Sequence, residues 1–251
     1  MRRIVEGLLD LVYAPTCLGC DGPISPGDAV RLVCRRCRSR LRPVPSPICE
    51  RCGAPLLRTG RAPGPRCGEC REWPAELRSA RSAVVLAPPG DRLVHQLKYR
   101  GWHALARPLA ERMAALPLPR DVAREASVVV PVPTTAARLR ERGYNQAERL
   151  AREYARLTGR RMVEALERAS AATTQTVLQP AARKANVAGA FRPAGRAAAA
   201  IAGAHCLLVD DVLTTGATAT ECSRTLVAAG ARCVSIVTFA RALDARRLIA
   251  T

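Results

Sequence analysis

Two adjacent aspartates, set at the end of an apolar run and followed by a Thr/Gly-rich turn, are the densest chemistry in this chain. The stretch is HCLLVDDVLTTGATAT, residues 205–220. Cys206 to Val209 suits a buried parallel strand, and Ala217 to Ala228 suits the helix that follows. Between them Gly216 can take backbone angles closed to other residues and lets the main chain approach a ligand closely. The helix start aims unpaired N–H groups and its positive dipole end at the turn. Thr214, Thr215 and Thr218 add hydroxyl donors around Gly216 and Ala217, so the turn forms an anion cup, with phosphate the expected occupant. Asp210 and Asp211 would repel that phosphate unless they contact another part of the same ligand. Ribose hydroxyls or a ligand-bound Mg²⁺ are the natural choices. No Gly-Lys dipeptide and no GxGxxG occurs anywhere, which excludes Walker-type and dinucleotide-binding loops.

A second chemistry lies near the N-terminus. Eight of the eleven cysteines fall in four CxxC pairs: Cys17/Cys20, Cys34/Cys37, Cys49/Cys52 and Cys67/Cys70. Two thiolates per knuckle and two knuckles per site are zinc-ribbon spacing, which predicts two structural Zn²⁺ ions. CLGCDGPI at 17–24 parallels CERCGAPL at 49–56, an internal repeat that supports two halves. Spacing leaves both sequential and interleaved pairing of the knuckles open. A disulfide framework would need an oxidising compartment. The opening MRRIVEGLLDLV is interrupted by Glu6 and Asp10 and reads as a short amphipathic helix of a cytoplasmic protein, not a signal peptide. The segment is rich in Pro and Gly, so metal ligation is expected to supply most of its stability. Cys206, Cys222 and Cys233 lie on apolar elements and read as small buried hydrophobes.

The elements that must position these groups follow. The cysteine pattern ends between Arg71 and Ser82, so residues 1–75 are read as the Cys-rich module and 76–251 as an α/β domain. Ala83 to Ala87 is predicted as a strand, followed by a helix through Leu93, Val94 and Leu97 that runs into LKYRG. A helix over 103–116 and a strand over 127–132 come next. Arg138, Arg140 and Arg142 then crowd a predicted basic loop, fit either to grip a pyrophosphate or simply to be solvated. Gly143 ends that loop, and Asn145 caps a helix whose Ala147, Leu150, Ala151 and Tyr154 share one face. The Ala/Gly-rich 194–204 stretch is predicted as a surface connection. A final strand over 232–239 should pair parallel to 205–211 through a right-handed crossover helix.

Composition bounds the partners. The formal net charge is +19, carried by 38 Arg and two Lys. Two filled four-thiolate zinc sites lower it to about +15, still a surface that attracts polyanions. GC-rich coding, which replaces Lys by Arg, contributes to the Arg count. Aromatic residues make up only 3%, so nucleic-acid binding would be mostly electrostatic, with Tyr99, Trp102 and Tyr144 as candidate stacking residues. No apolar run approaches the ~18 residues a membrane span needs. The two Lys (Lys98, Lys184) and two Asn (Asn145, Asn186) all fall in the unusual segments LKYRG, RGYN and ARKANVAG. In an Arg-rich chain they mark places where Arg, Asp or Ser does not serve.

Taken together, the four knuckles, LKYRG, the PVP and RLRERGYNQA segments, TTQTVLQPAARKANVAGAF (173–191) and VDDVLTTGAT resemble the ComF family, from about residue 13 to 241. Tyr144 stands where that family more often has Phe. The resemblance implies a type I phosphoribosyltransferase-like fold, a parallel sheet flanked by helices, with an N-terminal double zinc-ribbon module. It implies binding of phosphoribosyl pyrophosphate (PRPP) with Mg²⁺, and a role in handling incoming single-stranded DNA beside an ATP-driven helicase. Asp210 and Asp211 would then hold the ribose and Thr214 to Thr218 the 5′-phosphate. Arg138 and Arg142 would take the pyrophosphate, with Lys98 approaching from a hood above. Two functions compete: a transferase acting on an unidentified acceptor, and a DNA-handling protein that uses the ribose-phosphate site.

Overall fold

A computed structural model describes residues 15–25, 32–56, 67–169, 189–195 and 197–243. The expected N-terminal helix, Lys184, Asn186 and most of the 173–191 segment fall outside them. In chain order the elements are α1 (Arg35–Ser39), β1 (Leu77–Val85), α2 (Gly90–Tyr99), α3 (Ala106–Ala114), α4 (Arg120–Glu125) and β2 (Ala126–Pro131). They continue with α5 (Ala136–Arg142), α6 (Gln146–Thr158), β3 (Arg161–Met162), β4 (Leu166–Arg168), β5 (Phe191–Pro193) and α7 (Ala197–Ile201), then β6 (His205–Leu213), α8 (Ala217–Ala228) and β7 (Cys233–Arg241).

Five strands form one parallel sheet in the order β1-β7-β6-β2-β3, and β4 pairs antiparallel with β5. The expected pairing of the last strand with β6 holds, with Asp210 opposite Thr238. Strand alternation sends side chains to two separate cores. Val129, Leu207, Val209, Val237 and Phe239 pack with Leu97, Leu109, Leu150 and Tyr154 from α2, α3 and α6. Val128, Val130, Leu208, Val234 and Ile236 pack with Leu226 of α8 and Ile201 of α7. Each fully buried Leu or Val contributes about 1.5–3 kcal/mol.

The zinc-ribbon halves are built into these cores. Cys17, Leu18, Ile24, Val33, Cys34, Cys37 and Leu41 join the first cluster, and Cys49, Cys52, Cys70 and Trp73 join the second. The module therefore does not rest on metal alone: its two halves cap opposite faces of the sheet and share its hydrophobic burial.

Four local expectations also change. β1 starts at Leu77 rather than Ala83, because the polar residues that disguised it are satisfied across the sheet. Ser79 Oγ donates to Ser235 Oγ at 3.1 Å, and Ser82 and Thr238 hydroxyls lie 2.7 Å apart. β6 runs on through the acidic pair to Leu213, since Val212 and Leu213 pair with Ala240 and Arg241. The basic 136–142 segment is a helix, N-capped by the Thr135 hydroxyl and closed by left-handed Gly143; Ala, Leu, Arg and Glu are all good helix formers. Ala197–Ile201 is also helical, with Ile201 buried, so the Ala-rich stretch is more than a surface connection. The capping of α6 by Asn145 and the buried face of Ala147, Leu150, Ala151 and Tyr154 match the sequence reading, as do the buried Cys206, Cys222 and Cys233.

Candidate functional site

In a parallel sheet, ligands bind beyond the carboxyl ends of strands, where successive connections leave in opposite directions. Here β2 leads to β3 on one side and β6 leads to β7 on the other, so the gap between β2 and β6 is that point. A cleft of about 480 Å³ opens there. Its walls are Val132, Pro133 and Thr134 after β2, Asp210, Asp211, Val212, Thr214 and Thr218 from β6 and its loop, and Asp91, His95, Lys98 and Tyr99 from α2. Arg138, Gln146 and Arg168 complete the polar lining.

The acidic pair is not symmetric. Asp210 Oδ1 accepts the Asp211 N–H at 2.8 Å, while Asp211 Oδ1 pairs with Lys98 Nζ at 2.8 Å. Asp211 Oδ2 is buried and has no hydrogen-bond partner among the described residues. Burial, reinforced by the neighbouring Asp211 charge, pushes the Asp210 carboxyl up to about 7, against the pull of Lys98. Burial, with Arg138 adding to it, holds Arg168 below the usual guanidinium range.

The loop after β6 has the expected form. Gly216 caps α8 at φ +83°, and the first ladder bond runs from Thr220 N–H to the Gly216 carbonyl at 2.8 Å. The Ala217, Thr218 and Ala219 N–H groups thus precede the ladder, with Ala217 donating to Thr215 Oγ1 at 3.4 Å. One feature of this loop adds to the sequence reading. A side chain at Gly216 would meet the Trp73 indole, whose Cζ2 lies 2.5 Å from the ideal Cβ position. The close approach that needs glycine is made by the zinc ribbon.

The structure therefore brings Lys98, Arg138, Asp210, Asp211, Thr214 and Thr218 into one cleft, with Thr215, Gly216 and Ala217 in the loop beside it. Arg142 stands behind the wall. It lies over the Tyr99 ring at 4.6 Å and donates to Gln146 Oε1 at 2.9 Å. Asn145 accepts from Ala147 N–H and donates to the Val132 carbonyl, both at 3.1 Å, so it needs an acceptor and a donor that Asp lacks. Sequence reasoning missed Arg168, whose place depends wholly on the β4–β5 ribbon. It also missed Asp91 and His95, although their i, i+4 spacing ahead of Lys98 put all three on one face of α2.

The eight paired cysteines form two sequential clusters, Cys17/Cys20/Cys34/Cys37 and Cys49/Cys52/Cys67/Cys70, with the sulfurs of each within 4.8 Å of one another. Tetrahedral zinc with Zn–S near 2.3 Å sets sulfurs about 3.8 Å apart. Cys20–Cys34 and Cys49–Cys70 are both 3.8 Å apart and Cys67–Cys70 is 3.7 Å, close to that spacing, while Cys52–Cys67 at 3.3 Å would open slightly around the ion. Gly19 and Cys34 N–H groups donate to Cys17 Sγ at 3.3 Å, as thiolate knuckles require. Around the second cluster, Arg241 is buried, donates to the Cys52 carbonyl at 2.6 Å and pairs with Glu69. Arg51 bonds the carbonyls of Cys70, Trp73, Pro74 and Leu77. These guanidiniums offset the net negative charge of a four-thiolate zinc site.

Fold and site together define a phosphoribosyltransferase-type domain fused to a double zinc ribbon. Comparison agrees: residues 8–71 match the double zinc ribbon domain family and residues 112–249 the phosphoribosyl transferase domain family. The DNA utilization protein YhgH of Escherichia coli O6:H1 is 31% identical over 250 residues, covering 95% of this chain and 99% of that protein. YhgH of Salmonella typhi is 31% identical over 222 residues, covering 84% and 91%. A glutamine PRPP amidotransferase from B. subtilis complexed with ADP and GMP aligns at 22% identity and TM-score 0.36, over 54% of this chain and 26% of its own. The chain belongs to the ComF family. Among the described residues no helix is long and apolar enough to cross a membrane.

Proposed function

We propose that this protein binds PRPP or a related ribose phosphate in the cleft between β2 and β6, and that it serves the uptake or processing of single-stranded DNA in the cytoplasm. One observation carries the first half. Asp211, whose Oδ2 is buried and has no hydrogen-bond partner among the described residues, lines a cleft that also holds Arg138, Arg168 and the start of α8. A ribose hydroxyl donating to Asp211 would satisfy that oxygen. A phosphate at Thr214 to Thr218 would meet N–H groups that precede the helix ladder, and a pyrophosphate would relieve the crowding of Arg138 against Arg168. Lys98 keeps the acidic pair from repelling the ligand. Mg²⁺, bound with PRPP, supplies charge neutralisation at the pyrophosphate. The second half rests on the relatives named DNA utilization proteins and on the +19 charge; an ATP-driven helicase is the partner such a role implies.

Titration calorimetry with PRPP and Mg²⁺ tests the site. Asp211→Asn should weaken binding about tenfold to a hundredfold, through loss of a charge-assisted hydrogen bond worth ~1.5–3 kcal/mol. Unchanged affinity would remove the assignment. A second reading, transfer to an acceptor, draws on the cleft's extension past the acidic pair to His95 and Tyr99. Pyrophosphate release in a screen of nucleobases and DNA ends would establish it.

A further inference from the structure

Seven aromatic side chains of this aromatic-poor chain are described, and five are buried: Trp73, Tyr144, Tyr154, Phe191 and Phe239. The other two, Tyr99 and Trp102, are 52% and 42% exposed and stand three residues apart, within about 11 Å along the chain. They open a run, residues 99–104, that is exposed throughout. Opposite lies α5, which buries no residue and exposes 47% of Leu139. Arg142 clamps the two segments together by lying over Tyr99, and Leu139 is its i−3 neighbour on the same helix face. Within residues 99–104 and 136–142 the charged groups are Arg100, Arg138, Arg140 and Arg142 against Glu141 alone, with His103 beside them.

A seven-residue helix that buries no whole residue is too short to stand on propensity and is held by its Thr135 cap and the Arg142 contact on Tyr99. Two exposed aromatics and an exposed leucine beside Arg100, Arg138 and Arg142 make a patch with a binding role. We propose that this face is the strand-binding surface of the protein. Unpaired bases stack on Trp102 and on the side of Tyr99 that Arg142 leaves open, and Arg100 and Arg138 take phosphates. Single strands are specified because a duplex hides the base faces that exposed rings would cover. An acidic protein would use the arginines and leave the rings without a role. The proposal deepens the DNA-handling reading and rests on it for the choice of polymer. Tyr99 and Arg138 also line the ribose-phosphate cleft, so a bound strand passes its mouth. Tyr144 is removed from the stacking set, being buried with its hydroxyl donating to the Leu97 carbonyl.

The test uses the full zinc-loaded chain, a labelled dT oligonucleotide, the matching duplex, inorganic polyphosphate and polyglutamate. Trp102 is exposed and outside the cleft lining, so Trp102→Ala should keep its circular dichroism, zinc content and PRPP affinity. Its affinity for the oligonucleotide should fall about five- to a hundredfold, with polyphosphate binding unchanged and Trp102→Phe restoring most of the loss. Arg100→Ala should reduce the salt slope by about 0.7. Unchanged oligonucleotide affinity in Trp102→Ala, an equal loss for polyphosphate, or a duplex bound as tightly as the single strand would overturn the proposal. Polyglutamate binding that depends on Trp102 would also overturn it and make the face an acidic-protein site. If the parent binds no PRPP yet the Trp102 effect persists, the face stands and only the cleft assignment falls.

Discussion

Replacing Gly216 by alanine tests the contact between the zinc ribbon and the phosphate loop. Two penalties add. A left-handed φ of +83° disfavours any residue with a Cβ, by about 1–2 kcal/mol. The new methyl would also sit 2.5–2.8 Å from three indole atoms of Trp73. Trp73 has little room to retreat: it is buried, its backbone N–H donates to the Cys70 carbonyl at 3.2 Å, and its own carbonyl is held by Arg51 at 3.2 Å. Overpacking of this kind costs about 1–3 kcal/mol, for a total of roughly 2–5 kcal/mol. Shortening the indole separates the two. In a Trp73→Leu background only the backbone strain remains, so Gly216→Ala should there cost about 1–2 kcal/mol. Urea unfolding of the four proteins, followed by far-UV circular dichroism, gives the coupling directly. Equal cost in both backgrounds would refute the packing of Trp73 on the loop, and no cost in either would refute the strained turn as well. Trp102→Phe leaves Trp73 as the sole tryptophan, so PRPP at the loop should shift the emission of that variant.

Other outcomes follow from the same geometry. Metal analysis of the reduced protein should find two zinc ions. Because each ribbon half shares a core with the sheet, chelation should lower the thermal midpoint of the whole chain in one transition, rather than releasing the first 75 or so residues from a stable remainder; two separated transitions would argue against the shared cores. Cys52→Ser should weaken PRPP binding more than Cys20→Ser, since only the second site leads through Cys70 and Trp73 to Gly216. Asp210, raised to about 7, binds its proton more tightly in the folded chain than in the unfolded one. Its contribution to stability is therefore present at low pH and lost as pH rises through about 7. Asp210→Asn should accordingly stabilise the free protein more at pH 8 than at about pH 5, since the loss runs from the unfolded carboxyl's pKa of 3.8 up to about 7, as denaturant unfolding at the two pH values would show. The same change should flatten the rise in PRPP affinity expected over that range. Arg241→Met should destabilise by about 1–3 kcal/mol, since it removes the buried guanidinium that bonds the Cys52 carbonyl and pairs with Glu69; a neutral result in urea unfolding would show these contacts to be dispensable.

Much of the candidate site was legible in one dimension because its parts are contiguous. Strand, acidic pair, Thr/Gly turn and helix follow one another within 205–228, and α8 spans the residues its pattern predicts. CxxC spacing likewise announces two zinc sites, because a knuckle is a local structure whose ligands are two residues apart. Rare residues carried information too: Lys98 pairs with Asp211 in the cleft, and Asn145 both donates and accepts, which an aspartate would not reproduce.

What the tertiary structure alone decided are the relations between distant segments. Which knuckles share a metal, which face of the sheet each ribbon covers, and that Trp73 fills the space beside Gly216 all depend on packing between residues more than a hundred positions apart in places. β1 was hidden because its serines pair with hydroxyls on β7, at a sequence separation of 156. Arg168 reaches the cleft only through the β4–β5 ribbon, and Arg142 turns from it to stack on Tyr99. Local pattern reports backbone preference and burial along one element, whereas the partner of a buried polar or charged group is chosen by whichever segment the fold lays against it.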